Sequence, residues 1–268
     1  MQDMMLAQDT VLGFLAGGVA SSFFFGVIFF AFVYTMITRA RAGVPIPEIR
    51  KLSGIEAVDE AVGRSTEMGK PVIFHPGRAD LRNPQTIGGF AMLGYVSSMC
   101  ARYDVRLIQI HWHPMVLAVC EEITRQSYLE AGRPDSFNIS DVMYIGDATA
   151  PVMGVIEREE PGAQVYWGAF WAESLNLIEV GAMVGAIQIG ATANEHQIPF
   201  FVAGCDYALI GEEMYAASAY ISKEPVLVGT IVGQDWAKML LIAFILGGTL
   251  LSTALGSTDH FLTRWFQQ

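Results

Sequence analysis

Charge is what this sequence has least of. Only 16% of its 268 residues are Asp, Glu, Lys or Arg, where a soluble domain carries roughly 25%. Lysine is nearly missing, with Lys51, Lys70, Lys223 and Lys238 the whole complement. Setting aside Asp3, Asp9, Asp259 and Arg264 near the ends, 24 acids and 15 bases remain, a net charge of −9. A nucleic-acid binder needs a phosphate-neutralising patch, and no basic run of that kind exists here. Nucleic acid is therefore not an expected partner. Cysteine is scarce as well: Cys100, Cys120 and Cys205 have no paired spacing and sit in apolar contexts, which suits buried thiols in a reducing compartment better than disulfides. The sequence also lacks G-x-x-x-x-G-K-[ST], G-x-G-x-x-G after a strand, G-x-S-x-G, H-E-x-x-H and any cysteine pair at zinc spacing. Those absences remove the familiar phosphate cradles, the serine-hydrolase elbow and the zincin helix. No cofactor is expected.

What the sequence does have is apolar length: 52% of residues are apolar and the mean hydropathy is +0.38. No charged side chain lies between Asp9 and Arg39, nor between Lys238 and Asp259. A helix crosses the hydrocarbon in about 20 residues, so membrane helices are expected over 10–38 and 238–257, followed by a short tail, 258–268. Two alternatives stand beside this. A secretory signal would have a basic leader and a shorter core, whereas this leader carries Asp3 and Asp9. The second stretch could instead be a buried core helix. A third apolar region, Val180 to Asn194, is short and interrupted by Gly181, Gly185 and Gly190, and reads as domain interior.

The flanks set an orientation. Arg39, Arg41, Arg50, Lys51, Lys223 and Lys238 lie between the spans, against Arg264 outside them. The positive-inside rule places the middle of the chain in the cytoplasm, with both termini outside the cell (inner) membrane. Small residues recur every fourth position at Gly13, Gly17, Ser21 and again at Gly248, Ser252, Gly256. That spacing lets membrane helices approach closely, although glycine is also simply common in such helices. The spans hold no ionisable residue, so an ion path through them has no ligand.

After a linker, 39–52, a single α/β domain is expected over 53–236. Ser53 with Glu56 reads as a capping box, and Gly69 as the stop of that helix. Strand-like runs at Val72–Phe74, Arg106–Ile110, Val142–Ile145, Gln164–Gly168, Ala186–Ile189, Ile198–Ala203 and Val226–Ile231 alternate with helical patterns. The helices fall near Pro84–Arg102, Pro114–Ala131, Pro151–Glu159, Trp171–Val184 and Tyr207–Ile221. Pro84 and Pro114 occupy N1 positions behind Asn83 and His113. Strands apolar throughout imply a mostly parallel sheet covered by helices on both faces, Rossmann-like and three-layered.

Ligands of open α/β sheets bind beyond the carboxyl ends of the strands. The residues there are His75, Arg78, Asp80, Asp147, Glu173 and, after Ile198–Ala203, Asp206. Arg78 and Arg82 could hold an anion; solvated loop arginines are the plainer reading. His111 and His113, two apart at a strand end, could share a metal with His75 or Asp206 as the third ligand. The alternative is that His113 caps the helix at Pro114 and His111 is a satisfied strand-end residue. Glu179, among Leu175, Ile178, Val180 and Met183, is expected to be partly buried. Glu212 and Glu213 suit a helix N-terminus.

The segments GATANEHQIPFFVAGCDYALIGEEMYAASAY (Gly190–Tyr220), AVDEAVGRSTEMGKPVIFHPG (Ala57–Gly77) and WGAFWAESLNLIEVGA (Trp167–Ala182) resemble a group of bacterial and archaeal membrane proteins. That group shares a domain of unknown function. The resemblance runs from about Ile55 to Trp236 and implies one domain followed by a membrane helix; it brings no activity. The functional expectation is a membrane-anchored, self-associating scaffold without catalytic activity, with the lipid bilayer, copies of itself and other membrane-complex subunits as partners. The rival is a membrane-tethered enzyme or sensor holding a small anionic ligand or metal at the strand edge.

Overall fold

The short, buried and mostly apolar strand segments leave their backbone groups nowhere to hydrogen-bond except one another. They do so in a single sheet. The computed structural model describes residues 10–11, 15–16, 20–44 and 52–255, and the chain divides into two units. One comprises Met1–Glu48 with Glu224–Gln268, the other Ile49–Lys223.

The first elements, β1 (Thr10–Val11), β2 (Leu15–Ala16) and α1 (Ala20–Arg41), belong to the first unit, where β1 and β2 pair antiparallel. The second unit runs α2 (Ser53–Met68), β3 (Val72–His75), α3 (Pro84–Tyr103), β4 (Leu107–His111), α4 (Pro114–Glu130), β5 (Val142–Tyr144), α5 (Ala150–Glu159) and β6 (Ala163–Trp167). It continues with α6 (Glu173–Met183), β7 (Ile187–Thr192), α7 (Ile198–Gly204), β8 (Tyr207–Ile210) and α8 (Glu212–Ser222). The final helix, α9 (Pro225–Leu255), returns to the first unit. Strands β3 to β8 form a six-stranded, all-parallel sheet in the order β5-β4-β3-β6-β7-β8.

Alternate strand residues enter two separate apolar clusters. Val72, Phe74, Val165, Trp167 and Ile189 join α2, α3 and α8 in one; Ile73, Ile108, Ile110 and Tyr166 join α5, α6 and α7 in the other. Successive strand side chains point to opposite faces, so each face of the sheet has its own core. Trp167, Phe74, Phe170 and Phe201 are fully buried; an apolar side chain of this size contributes about 1.5–3 kcal/mol on burial.

Local signals hold well at several ends. Asn83 Oδ1 accepts from Gln85 N at 2.9 Å and caps α3, Gly69 closes α2 at φ 64°, and Pro84 and Pro114 open their helices. The capping box at Ser53 does not form: Leu52 is the cap residue, and Ser53 is already helical. Two expected strands are helices. Ile198–Ala203 lies in α7 and Val226–Ile231 in α9, because a short apolar run reads equally well as either element and each helix has a proline in its first turn, Pro199 or Pro225. The sixth strand is instead Tyr207–Ile210, at the start of the stretch expected to be helical.

In the first unit, the helix expected over 10–38 begins at Ala20. Two helices, Phe23–Arg41 at mean hydropathy 1.8 and Pro225–Leu251 at 1.4, are long and apolar enough to cross a membrane by length and composition. They run antiparallel: Phe25 meets Phe244 edge-on at 5.5 Å, while Gly229 lies against Ile37 and Gly233 against Val33. A Cβ on either glycine would stand 2.9 Å from a backbone Cα of α1. Among the described residues, Gly229 and Gly233 are glycines of α9 that lie against α1, whereas a Cβ on Gly248 would meet no atom of this chain within 4 Å. Gly13, Gly17 and Gly256, and the side chains of Ser21 and Ser252, lie outside the described residues.

Candidate functional site

Strands β3 and β6 are neighbours, yet the chain leaves β3 toward β4 on one side and reaches β7 from β6 on the other. Their carboxyl ends form the point where the strand order reverses. Two glycine turns meet there. Gly77 has φ 81° and a Cβ on it would stand 2.8 Å from the Ala169 backbone; Gly168 has φ 147°, with its would-be Cβ 2.5 Å from Pro76 O. Only glycine suits both the backbone conformation and the approach. Arg78 N then donates to Ala169 O at 2.8 Å and locks the two loops together.

That lock aims the Arg78 side chain along the edge. Its Nη2 donates to Asp147 O at 2.8 Å and stands 3.4 Å from Asp147 Oδ1; Nη1 is 3.7 Å from Glu173 Oε2. Glu173 is buried, with Oε1 accepting from Trp171 N at 3.1 Å, whereas the Asp147 side chain is exposed. Three of the residues read from the sequence therefore gather: Arg78, Asp147 and Glu173. A guanidinium carries five donors, and the 3.4 and 3.7 Å ion pairs are longer than a hydrogen bond of 2.7–3.2 Å. Arg78 keeps donor capacity for an incoming acceptor.

His75 sits beneath this edge, fully buried, stacked on Tyr166 at 4.8 Å with its Nε2 3.1 Å from Gln164 Oε1. Burial pulls its pKa down to about 4 against the opposing pull of the Gln164 hydrogen bond. His111 is also buried, with Nε2 3.2 Å from Gln109 Oε1, and burial followed by the charge of His75 lowers its pKa to about 3. Both rings are neutral at pH 7. They leave the sheet on opposite faces: Phe74 is level with Gln109, so His111 shares the face of Phe74 and Gln109, and His75 the face of Ile73. His113 is exposed at the start of α4 and makes no capping bond. Asp80 is exposed and accepts from Arg82 N in a turn.

Asp206 does not belong to this edge. The segment before it is α7, so Asp206 precedes β8 and accepts from Gln188 N, at the start of β7, at 2.8 Å. It lies at the amino edge of the sheet. The alternative of a metal shared by His111 and His113 with His75 or Asp206 has no convergent set here, and among the described residues no three His, Cys, Asp or Glu side chains could hold a metal. Glu179 is exposed rather than partly buried, because it lies on the outward face of α6.

The sequence reading missed the uncharged part of the edge. Among the described residues, the buried side-chain polar atoms without a partner are His75 Nδ1, Thr86 Oγ1, His111 Nδ1, Trp112 Nε1, Gln164 Nε2 and Trp167 Nε1. Except for Gln164, all belong to the carboxyl ends of β3, β4 and β6 or to the first turn of α3. Buried polar groups are nearly always satisfied by protein, water or ligand, so this clustering marks the edge. Glutamines inside apolar strands (Gln109, Gln164 and Gln188) were the available signal, since a buried polar residue is more informative than a buried apolar one. They build a ladder: Tyr166 Oη lies 2.8 Å from Gln164 Oε1 and 3.1 Å from Gln188 Oε1, and Gln188 Nε2 donates to Ile178 O at 2.9 Å.

The chain belongs to the DUF6754 family. That family, a domain of unknown function, matches residues 13–262. No curated protein and no solved structure matches the chain. Membership in DUF6754 covers both units and carries no activity with it, so the chemistry of the edge rests on its own geometry. The thiols add nothing to that edge: Cys100 and Cys120 are buried and free, and burial pushes Cys100 up to about 12.

Proposed function

We propose that this chain is a membrane-anchored binding module whose doubly wound, Rossmann-like α/β domain takes a small anion at the strand-order reversal between β3 and β6. Arg78 carries the reading. It stands at the crevice where open α/β sheets bind ligands, and its guanidinium has donors to spare. The loop His75–Asp80 is no glycine-rich phosphate cradle, which favours a carboxylate or a phosphate monoester over a dinucleotide. Titration of detergent-purified full-length protein with inorganic phosphate and malate tests this. One of the two should bind, and Arg78→Gln should weaken it at least tenfold, about 1.4 kcal/mol; binding equal in both proteins would end the proposal.

The anchor is proposed on α1 and α9. Their antiparallel course puts the N-terminal end of α1 beside the C-terminal end of α9, as expected if both chain termini face outside and the α/β domain faces the cytoplasm. An impermeant thiol reagent should label a cysteine at Gln268 and spare one at Glu130 in intact cells; the reverse pattern would overturn the orientation. Self-association is the second reading. Met239, Ile242, Leu246 and Leu250 form an exposed stripe along α9, which lipid or a second copy would cover. Native mass spectrometry separates these, a monomer mass leaving the stripe to lipid.

A further inference from the structure

The opposite, amino edge of the sheet holds a cavity of about 320 Å³ at the starts of β4 and β5, roofed by the segment Pro134–Asp141. At roughly 30 Å³ per water it has room for on the order of ten waters, or one small molecule. We propose that it is a second binding site, specific for an uncharged, hydroxylated ring of monosaccharide to nucleoside size. It is independent of the anion site at the carboxyl edge.

The charge pairing of the lining argues against an anionic ligand. The cations and carboxylates lining the cavity are already spent on each other: Arg106 donates to Asp141 Oδ1 at 2.6 and 2.9 Å and to Glu159 at 2.7 Å, and Asp104 pairs with Arg133 at 3.1 Å. An anionic ligand would have to displace a carboxylate from one of these pairs to find a cation, which weighs against it. The polar groups that remain are neutral or one-sided. The Tyr128 ring is buried, and its hydroxyl, which has no side-chain hydrogen bond among the described residues, lines the cavity and can both donate and accept. Asp141 accepts both of its Arg106 hydrogen bonds on Oδ1, which leaves Oδ2 without a side-chain donor among the described residues. A hydroxyl suits both, because it can donate to the carboxylate and pair with the phenol in either sense.

Apolar contact comes from Phe137, set edge-on to Tyr128 at 6.0 Å, which gives a ring a face to pack against. The floor is rigid. Gln109 Nε2 donates to Thr124 Oγ1 at 2.6 Å, and Thr124 Oγ1 lies 3.2 Å from Ser97 Oγ, so these side chains are held in one arrangement whether or not the cavity is filled.

Equilibrium dialysis of detergent-purified full-length protein with tritiated glucose, myo-inositol, adenosine and uridine tests the site. At least one should bind with a Kd of about 1 mM or tighter, and Tyr128→Phe should weaken it roughly fivefold, the net value of one hydrogen bond. The thermal midpoint of Tyr128→Phe should not move, since the hydroxyl has no protein partner. Arg78→Gln should leave this binding unchanged, which keeps its failure distinct from that of the anion site. Absence of binding by all four probes would refute the proposal, as would equal binding by Tyr128→Phe. Glucose 6-phosphate binding as tightly as glucose, or AMP as tightly as adenosine, would refute the exclusion of charge.

Discussion

Acid should destabilise the α/β domain through His75 and His111, by an amount the structure lets us work out. Each imidazole has an ordinary value of about 6.5 when unfolded, against about 4 for His75 and about 3 for His111 in the fold. The folded values are depressed, so between pH 6.5 and 4 the unfolded chain binds protons that the native chain refuses. The stabilisation of the neutral rings is fully present above pH 6.5 and is lost as pH falls toward 4. A one-proton difference changes stability by about 1.4 kcal/mol per pH unit. From pH 7 to pH 5 each histidine costs about 2 kcal/mol, and the two together about 4. Against a domain stability of about 5–15 kcal/mol that is a large share. Urea unfolding of the full-length protein at pH 7, 6 and 5, in wild type and in His75→Gln/His111→Gln, measures it. The double variant cannot titrate at these positions, so its loss between pH 7 and 5 should be about 4 kcal/mol smaller, whatever its starting stability. Equal losses in the two proteins would show that the rings are not held neutral by burial.

Gly190→Ala places a methyl group on the ring of Phe201 and 2.9 Å from Cys205 Sγ; denaturant unfolding should show a loss of about 1–3 kcal/mol. Trp167→Phe removes an indole N–H that has no partner and should cost only its cavity, about 1–2 kcal/mol, whereas Trp167→Ala should cost about 3–5 kcal/mol. A large loss for the phenylalanine would mean that the indole is satisfied in solution. Gly229→Leu or Gly233→Leu should drive α9 away from α1 and lower the disulfide yield between cysteines placed at Phe25 and Phe244; an unchanged yield would contradict the packing. Elemental analysis should find no stoichiometric zinc, iron or manganese that is lost on both His111→Ala and His113→Ala.

Much of the local structure was legible because its causes lie within a few residues. Asn83 before Pro84, Gly69 after a helical pattern and two long uncharged runs each act through neighbouring backbone or through length alone, and five of the six sheet strands follow from apolar runs between breakers. The sequence by itself also determined that the sheet is mostly parallel, since strands buried on both faces and separated by helices admit little else. Pairing partners lie far away in the chain, and there the sequence was silent. Ile198–Ala203 became a helix and Tyr207–Ile210 the edge strand, which carried Asp206 to the opposite edge from the residues it was grouped with. The register of β3 against β4 put His75 and His111 on different faces, because a one-residue offset turns a strand side chain over. The reversal of strand order between β3 and β6 is likewise a tertiary decision. It sets two glycine turns against each other, aims Arg78 at Asp147 and Glu173, and leaves the unpartnered indole and imidazole nitrogens along one edge.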